Sequence, residues 1–346
     1  MIGKSGEGLK GLDPLLTPGF GLAVRALHRR KAAPDATQAL VVRPGGLGDL
    51  VIAHLAAERL GVADRVTWLI ERRSAAWAKY RGLPYLNYDE DPLRAARGIS
   101  SRFPLVINTE QRFGLSMTAA RWAAARGGTV VGFETNRGAR LADRLVSYDW
   151  DRSHELAEFS RILAESFGLP MPPVGAIDRR RPSDDTIVVA LGGTHSPSRA
   201  LSPRDWASWL LPLIGSHEVL LTAGPMEREL AAELLDQLGG QATLFKGSFD
   251  EVVDRIATAE RVVTIDGGLV HVASYFGVPC DVLFTAGRSS KWAPLGRGSR
   301  VHRRHDLSCQ PCTVFGQVPP CPFGYLCRHG IPETLAIDPV ETASRT

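Results

Sequence analysis

The sequence predicts an α/β protein built from two doubly wound parallel-sheet domains. Three observations predict it. Short apolar runs alternate with amphipathic helical stretches from residue 37 onward, the pattern of parallel strands covered by helices. A proline- and charge-rich stretch, Pro170-Met-Pro-Pro-Val174 and Asp178-Arg-Arg-Arg-Pro182, breaks the alternation, which then starts again. The first strand of each half runs into a glycine-rich turn. A chain of 346 residues has room for two domains of ordinary size.

Composition narrows the class. With 44% apolar and 23% charged residues, a packed core is expected rather than disorder. A net charge of +4 suits an anionic ligand or surface but is too small to imply a nucleic-acid partner. No apolar run approaches the roughly 20 residues that span a bilayer. The amino terminus lacks the core and cleavage site of a signal peptide, so a cytoplasmic protein is expected.

Residues 1–36 read as an appendage. Leu12–Gly19 is turn-rich, and Phe20–Lys31 reads as a short helix with Leu22, Val24 and Leu27 on its apolar side and His28-Arg-Arg-Lys31 at its end. Such a helix either docks by its apolar stripe or rests on an anionic membrane surface. The first domain is expected over 37–172. Its strands are Ala39–Val42, Val66–Ile70, Leu105–Asn108 and Val130–Phe133, and its helices Leu50–Leu60, Ser74–Tyr80, Leu115–Ala125 and Ser153–Phe167. A linker follows over 173–184. The second domain, 185–305, has strands Thr186–Leu191, Val219–Thr222, Ala242–Phe245, Val262–Ile265 and Asp281–Phe284, with helices Pro203–Ile214, Glu227–Leu238 and Phe249–Ala259. Residues 306–346 form a Cys- and Pro-rich segment and tail. Two such domains leave a cleft between their carboxyl edges, where one ligand is presented to another.

The first glycine turn is Gly45-Gly46-Leu47-Gly48, followed by Asp49 and a helix. Glycines without Cβ let the backbone turn sharply and approach a ligand. Asp49 falls at or just before the first helical turn, where the positive helix end and free N–H groups favour a carboxylate. The same position also suits an ordinary N-cap. The turn meets neither the G-x-G-x-x-G dinucleotide pattern nor the Gly-Lys-Ser/Thr of a phosphate loop.

In the second half, Gly192-Gly-Thr-His-Ser-Pro-Ser-Arg199 follows the first strand. It offers N–H, hydroxyl and guanidinium donors to phosphate oxygens, or serves as a solvated connection. Thr264-Ile-Asp-Gly-Gly-Leu-Val-His271 carries Asp266 at a strand tip. Gly267 and Gly268 follow, and a helix beginning near Leu269 has first N–H groups that make an anion site. His271 lies in that first turn, either facing the ligand or packed against the domain.

The ordered set Arg-x-x-x-x-Gly-Asp49, Ser-Arg199 with Trp206, Asp266-x-Gly-x-x-His271, Gly277-Val-Pro, Leu283-Phe and Trp292-x-Pro-Leu-Gly296 resembles glycosyltransferase family 9 over about residues 38–330. These are the ADP-heptose heptosyltransferases of lipopolysaccharide inner-core synthesis and their relatives. The resemblance implies a GT-B fold and metal-independent, inverting transfer. The acceptor would be held mainly by the first domain, beside Gly45, Gly46 and Gly48, and the ADP-sugar by the second. It implies Asp49 as general base and Arg199 facing the diphosphate, where the family usually has lysine. Thr194 would lie at phosphate or sugar, and Glu227 at the ribose. Asp266 would hold sugar hydroxyls, and the N–H groups of Gly267, Gly268 and Leu269, with His271 beside them, the phosphate. No cofactor is implied. The donor would be ADP-heptose or a similar nucleotide sugar, and the acceptor a saccharide or lipid-linked saccharide, met at the inner face of the cytoplasmic membrane.

Glycosyl transfer builds positive charge at the anomeric carbon and negative charge on the leaving diphosphate. Donors fixed at the diphosphate therefore act more strongly on the transition state than on the ground state. The sequence departs from the family at Arg199-Ala-Leu-Ser202 and at Gly267, where a hydroxyl residue is usual. These departures motivate an alternative, a nucleotide-binding scaffold that no longer transfers sugar. An NAD-type enzyme on similar halves is the third reading.

Five cysteines are present, four of them between 309 and 327. Clustering in a reducing compartment argues against a scattered disulfide framework. Cys309-Gln-Pro-Cys312 has the shape of a metal knuckle. With Cys321 and Cys327, and His302, His305 and His329 nearby, it predicts either a structural zinc or iron site or a set of free thiols.

Overall fold

The computed structural model describes residue 13 and residues 38–100, 102–178, 183–192, 196–214, 217–304, 306–315, 317–329 and 335–339. The expectations for the appendage other than Asp13, for residues 179–182 of the linker, for Thr194, for His305 and for most of the tail lie outside them.

Two α/β units are present. The first runs to Asp149 and resumes over Glu155–Pro173. The second holds Trp150–His154 and the chain from Val174 onward. In the first, six parallel strands stand in the order β3-β2-β1-β4-β5-β6. They are β1 (Ala39–Arg43), β2 (Val66–Ile70), β3 (Tyr85–Asn87), β4 (Phe103–Asn108), β5 (Ala124–Phe133) and β6 (Arg144–Val146). The second repeats this order as β9-β8-β7-β10-β11-β12 and adds an antiparallel edge strand. Its strands are β7 (Thr186–Leu191), β8 (Glu218–Ala223), β9 (Thr243–Phe245), β10 (Arg261–Ile265), β11 (Cys280–Leu283), β12 (Arg300–Arg304) and β13 (Leu335–Pro339). In each unit the strand order reverses at one place, between β1 and β4 and between β7 and β10. Open α/β sheets bind ligands outside the carboxyl ends of the strands at such a reversal.

The helices are α1 (Leu47–Arg59), α2 (Ala75–Tyr80), α3 (Pro92–Ile99), α4 (Gly114–Ala123), α5 (Glu155–Phe167), α6 (Pro203–Ile214), α7 (Arg228–Gln237), α8 (Phe249–Thr258), α9 (Gly268–Phe276) and the single turn α10 (Ser289–Trp292). Burial explains the apolar runs: Leu40, Val41, Val188 and Val189 are inaccessible because helices cover both faces of each sheet. Leu40, Val42 and Val106 pack with Met117 and Ala120 of α4. Val189 and Leu221 pack with Trp206, Trp209 and Leu210 of α6.

Three details differ from the sequence reading. The helix expected over Leu115–Ala125 ends at Ala123, and Ala124 already pairs with Phe103 in the sheet. β12, Arg-Val-His-Arg-Arg, has no apolar run, yet it lies beside β11. The short edge strands β3 and β6 carry too little alternation to be read.

β12 holds its place through charge. Asp281, fully buried near the start of β11, accepts two bonds from Arg300, at 2.6 and 2.7 Å, and one from Arg261 at 3.0 Å. It also pairs with His302 at 2.6 Å. Burial alone would push this carboxyl up; the bonds from His302 and Arg300 and the charge of Arg261 outweigh it and bring it to about 2. The value lies below that of the unfolded chain, so the stabilisation is present above about pH 4 and lost as pH falls through about 2. The depression of nearly two units corresponds to about 2 kcal/mol. Asp281→Asn is expected to lower unfolding stability by about 3 kcal/mol at pH 7, since two cations lose a buried partner. Denaturant midpoints should converge with those of the parent as pH falls toward 2; a deficit unchanged across that range would refute the linkage.

Candidate functional site

In the first unit the site is built from the turn between β1 and α1. Gly46 is the N-cap residue of α1 and Asp49 the third residue inside it. The Gly46 amide donates to Asp49 Oδ2 at 2.8 Å, and Arg43 Nη2 donates to Oδ1 at 2.5 Å. The Asp49 side chain stays 23% exposed, so solvent can reach it. Gly45 is required for close approach: a Cβ there would stand 2.6 Å from Asp49 Oδ2 and 3.0 Å from Arg43 Nη2. The Gly45 carbonyl accepts from Ser74 Oγ, at 2.9 Å, which pins the turn to the segment after β2.

Arg43 belongs to the sequence pattern but has no role assigned by it. It is almost fully buried at the carboxyl tip of β1, donates to the Thr109 carbonyl at 2.8 Å and lies over the Phe159 ring. Burial, the largest influence, opposes its charge; Asp49, Glu110 and Glu155 overcome it and hold the guanidinium more firmly protonated than usual. Glu155 in turn accepts from Gln111 and from the Tyr148 hydroxyl. Asp49 therefore rests on a buried ionic network drawn from β1, the chain after β4 and α5. An arginine closing an apolar strand was the signal available for it in the sequence. Asp13 accepts from the Gly114 and Leu115 amides and so caps α4.

In the second unit, the strand reversal brings together the chain after β7 and the chain after β10. Arg199 Nη2 donates to Asp266 Oδ2 at 3.2 Å. Asp266 lies at the tip of β10, and Gly267, in extended backbone, is the N-cap residue of α9. The Gly268 and Leu269 amides thus fall in the first turn of α9, whose free N–H groups favour an anion. The chain after β11 closes in from the side. A Cβ at Gly287 would stand 2.1 Å from Asp266 Oδ2, so no larger residue fits there without displacing that carboxylate. His271 is buried one turn into α9 with its ring 5.7 Å from that of Trp292. Glu227, at the start of α7, folds over Gly224, where a Cβ would meet its Oε2 at 2.7 Å.

The sequence leaves Cys309, Cys312, Cys321 and Cys327 as either a structural metal site or a set of free thiols. Among the described residues no three His, Cys, Asp or Glu side chains are placed to hold an ion, and all four cysteines are free thiols. Local bonds account for their directions: Cys321 Sγ accepts from the Tyr325 amide at 3.3 Å, and Cys312 Sγ turns to the Ala286 carbonyl at 4.0 Å. The thiols still feel one another. Burial first, then Cys312, Cys321 and Cys309, pushes Cys327 up to about 11, and Cys312 is raised by burial, Cys309 and Cys321.

Two units of identical parallel strand order, each with polar residues gathered at its reversal, place the chain in the GT-B class of fold. The chain belongs to glycosyltransferase family 9 (heptosyltransferase), whose family model matches residues 106–320. That stretch includes Arg199, Glu227, Asp266 and His271; Asp49 precedes it. Among solved structures, the E. coli heptosyltransferase WaaC with ADP is similar at a TM-score of 0.63 and 17% identity, covering 75% of this chain and 91% of that one. The E. coli ADP-heptose lps heptosyltransferase II is similar at 0.58 and 17%, covering 77% and 90%. A family 9 glycosyl transferase from Veillonella parvula DSM 2008 gives 0.60 and 16%, covering 77% and 86%. No curated protein matches the sequence.

Proposed function

We propose that the protein moves heptose, or a closely related sugar, from an ADP-sugar to a saccharide acceptor with inversion at the anomeric carbon. The observation that carries this reading is the Arg199–Asp266 pair beside the first turn of α9. It sets a cation, a sugar-binding carboxylate and a row of free amides at one strand reversal. In this reading Asp49 takes the proton of the acceptor hydroxyl as its oxygen bonds to the anomeric carbon. The bond from that carbon to the diphosphate breaks, and the electron pair leaves with ADP. Arg199 and the amides of Gly267, Gly268 and Leu269 receive the new charge. Asp266 holds sugar hydroxyls, Glu227 the ribose, and Thr194 and His271 flank the phosphates. The chain supplies the positive charge at the leaving group, so the reading needs no metal.

The family and the ADP bound to WaaC support a nucleotide-sugar donor. A lipid-linked acceptor would bring the protein to the inner face of the cytoplasmic membrane; among the described residues no helix is long and apolar enough to cross one. The test is calorimetry with ADP alongside transfer from ADP-heptose to saccharide acceptors, with the product's anomeric configuration read by NMR. Binding and an inverted product are expected. A retained configuration overturns the mechanism, and ADP binding without turnover on any acceptor overturns the transfer.

A further inference from the structure

The Cys-rich segment touches both loops that make the proposed donor site. Gln310 Nε2 donates to the Thr285 carbonyl, and the Cys312 and Thr313 amides reach the Ala286 carbonyl at 3.2 and 3.3 Å. Thr285 and Ala286 lead directly into Gly287, which lies against Asp266. At its other end, Arg328 Nη1 donates to the Pro197 carbonyl at 2.6 Å. Pro197 lies inside the turn closed by the Arg199 amide on the Ser196 carbonyl, at 2.9 Å. The segment is itself anchored: Arg304, at the end of β12, donates to the Leu326 and His329 carbonyls at 3.0 and 2.7 Å. A continuous set of bonds therefore runs from β12 through residues 326–329 to the turn that presents Arg199.

We propose that residues 307–329 clamp the donor loops, with Arg328 as a positioning residue for Arg199 and Gln310 as its counterpart on the Thr285–Gly287 side. A charged donor on a carbonyl is among the stronger neutral-acceptor bonds, and it acts here on the short turn that carries Arg199. Arg199 must meet the diphosphate within a few tenths of an ångström to act fully, so a turn free to shift loses catalysis more than folding. The four mutually close thiols lie within the same clamp. Modifying them is therefore linked to donor binding, and by reciprocity nucleotide binding is linked to their reactivity. The assignment of Arg199 and Asp266 to the donor rests on the proposed function; the clamping of the turn does not.

The test compares Arg328→Ala and Arg328→Lys with the parent in the full chain. Amide hydrogen exchange without nucleotide reads the clamp alone. Arg328→Ala should speed exchange at the Arg199 and Leu201 amides at least tenfold and leave α9 unchanged, with Arg328→Lys in between. Unchanged exchange at 196–201 overturns the clamp whatever the protein binds. For the link to the donor, ADP should slow iodoacetamide labelling of Cys309, Cys312 and Cys321 at least threefold in the parent and not in Arg328→Ala. Arg328→Ala should also lower kcat about tenfold, with the KM for acceptor unmoved. Altered exchange with full kcat leaves the turn clamped but refutes Arg328 as a positioning residue. A parent that binds no ADP refutes the donor-site reading instead, and the exchange data still decide the clamp.

Discussion

Asp49→Asn is expected to bind ADP as the parent does and to transfer sugar 100- to 10,000-fold more slowly, the usual contribution of a general base. The substitution keeps the shape of the side chain and removes its ability to take a proton. Its fold should survive, because Arg43 keeps its bond to the Thr109 carbonyl and the charges of Glu110 and Glu155 nearby. Those same neighbours define how Asp49 works. Arg43 and the Gly46 amide both donate to its carboxylate. In the proposed mechanism it takes the proton late, once the attacking oxygen has bonded to carbon and the hydroxyl has become acidic. Loss should therefore appear in kcat at saturating donor and acceptor, with both KM values nearly constant. Arg43→Lys supplies a second reading: the charge remains, but the fork that joins Asp49 and Thr109 does not. An Asp49→Asn enzyme with full kcat would remove the base assignment and leave Asp49 as a helix cap.

The parts of this chain that could be read from sequence were those governed by local periodicity. β1, β2, β7 and β10 are apolar because both faces are covered, and the glycine turns mark where each strand meets its helix. Asp49, Arg199 and Asp266 stand out because each follows a strand at a glycine-containing connection, the place where open α/β sheets bind ligands. What was not legible depends on distant partners. β12 joins its sheet through Arg300 and His302 on Asp281, a pairing 19 and 21 residues apart in sequence that no alternation encodes. The network under Asp49 draws Glu155 from the helix after the crossover, where a charged position reads as a solvated face. C-x2-C spacing likewise does not encode where the thiols point: Cys312 turns to the Ala286 carbonyl, 26 residues away, and Cys321 accepts from the Tyr325 amide. The strap Trp150–His154 lies between stretches of the first unit yet packs with the second. It does so through Arg288 on Asp151 and through His154 on the Ala293 carbonyl, where burial lowers the imidazole to about 4 and keeps it neutral.

Arg199→Ala is expected to lower kcat 100- to 1,000-fold, about 3 to 4 kcal/mol of transition-state stabilisation, with a smaller change in ADP affinity. The asymmetry follows from the partner it already has. Arg199 donates to Asp266, so in the proposed site binding the donor would exchange one anionic partner for another, with little gain in the ground state. The gain comes as the diphosphate takes on charge while the sugar leaves. Arg199→Lys should recover part of the rate, because it returns the charge without the two-pronged geometry. Asp266 makes the pair separable. With Asp266→Asn the guanidinium no longer has to leave a carboxylate, so ADP should bind more tightly while transfer falls for want of a sugar contact. The double variant should then show strong non-additivity in ADP affinity, since each single change removes the same pair. An Arg199→Ala enzyme within threefold of the parent, or additive effects at 199 and 266, would mean that the charge on the departing diphosphate is met elsewhere. The first turn of α9 would then have to carry the leaving group alone.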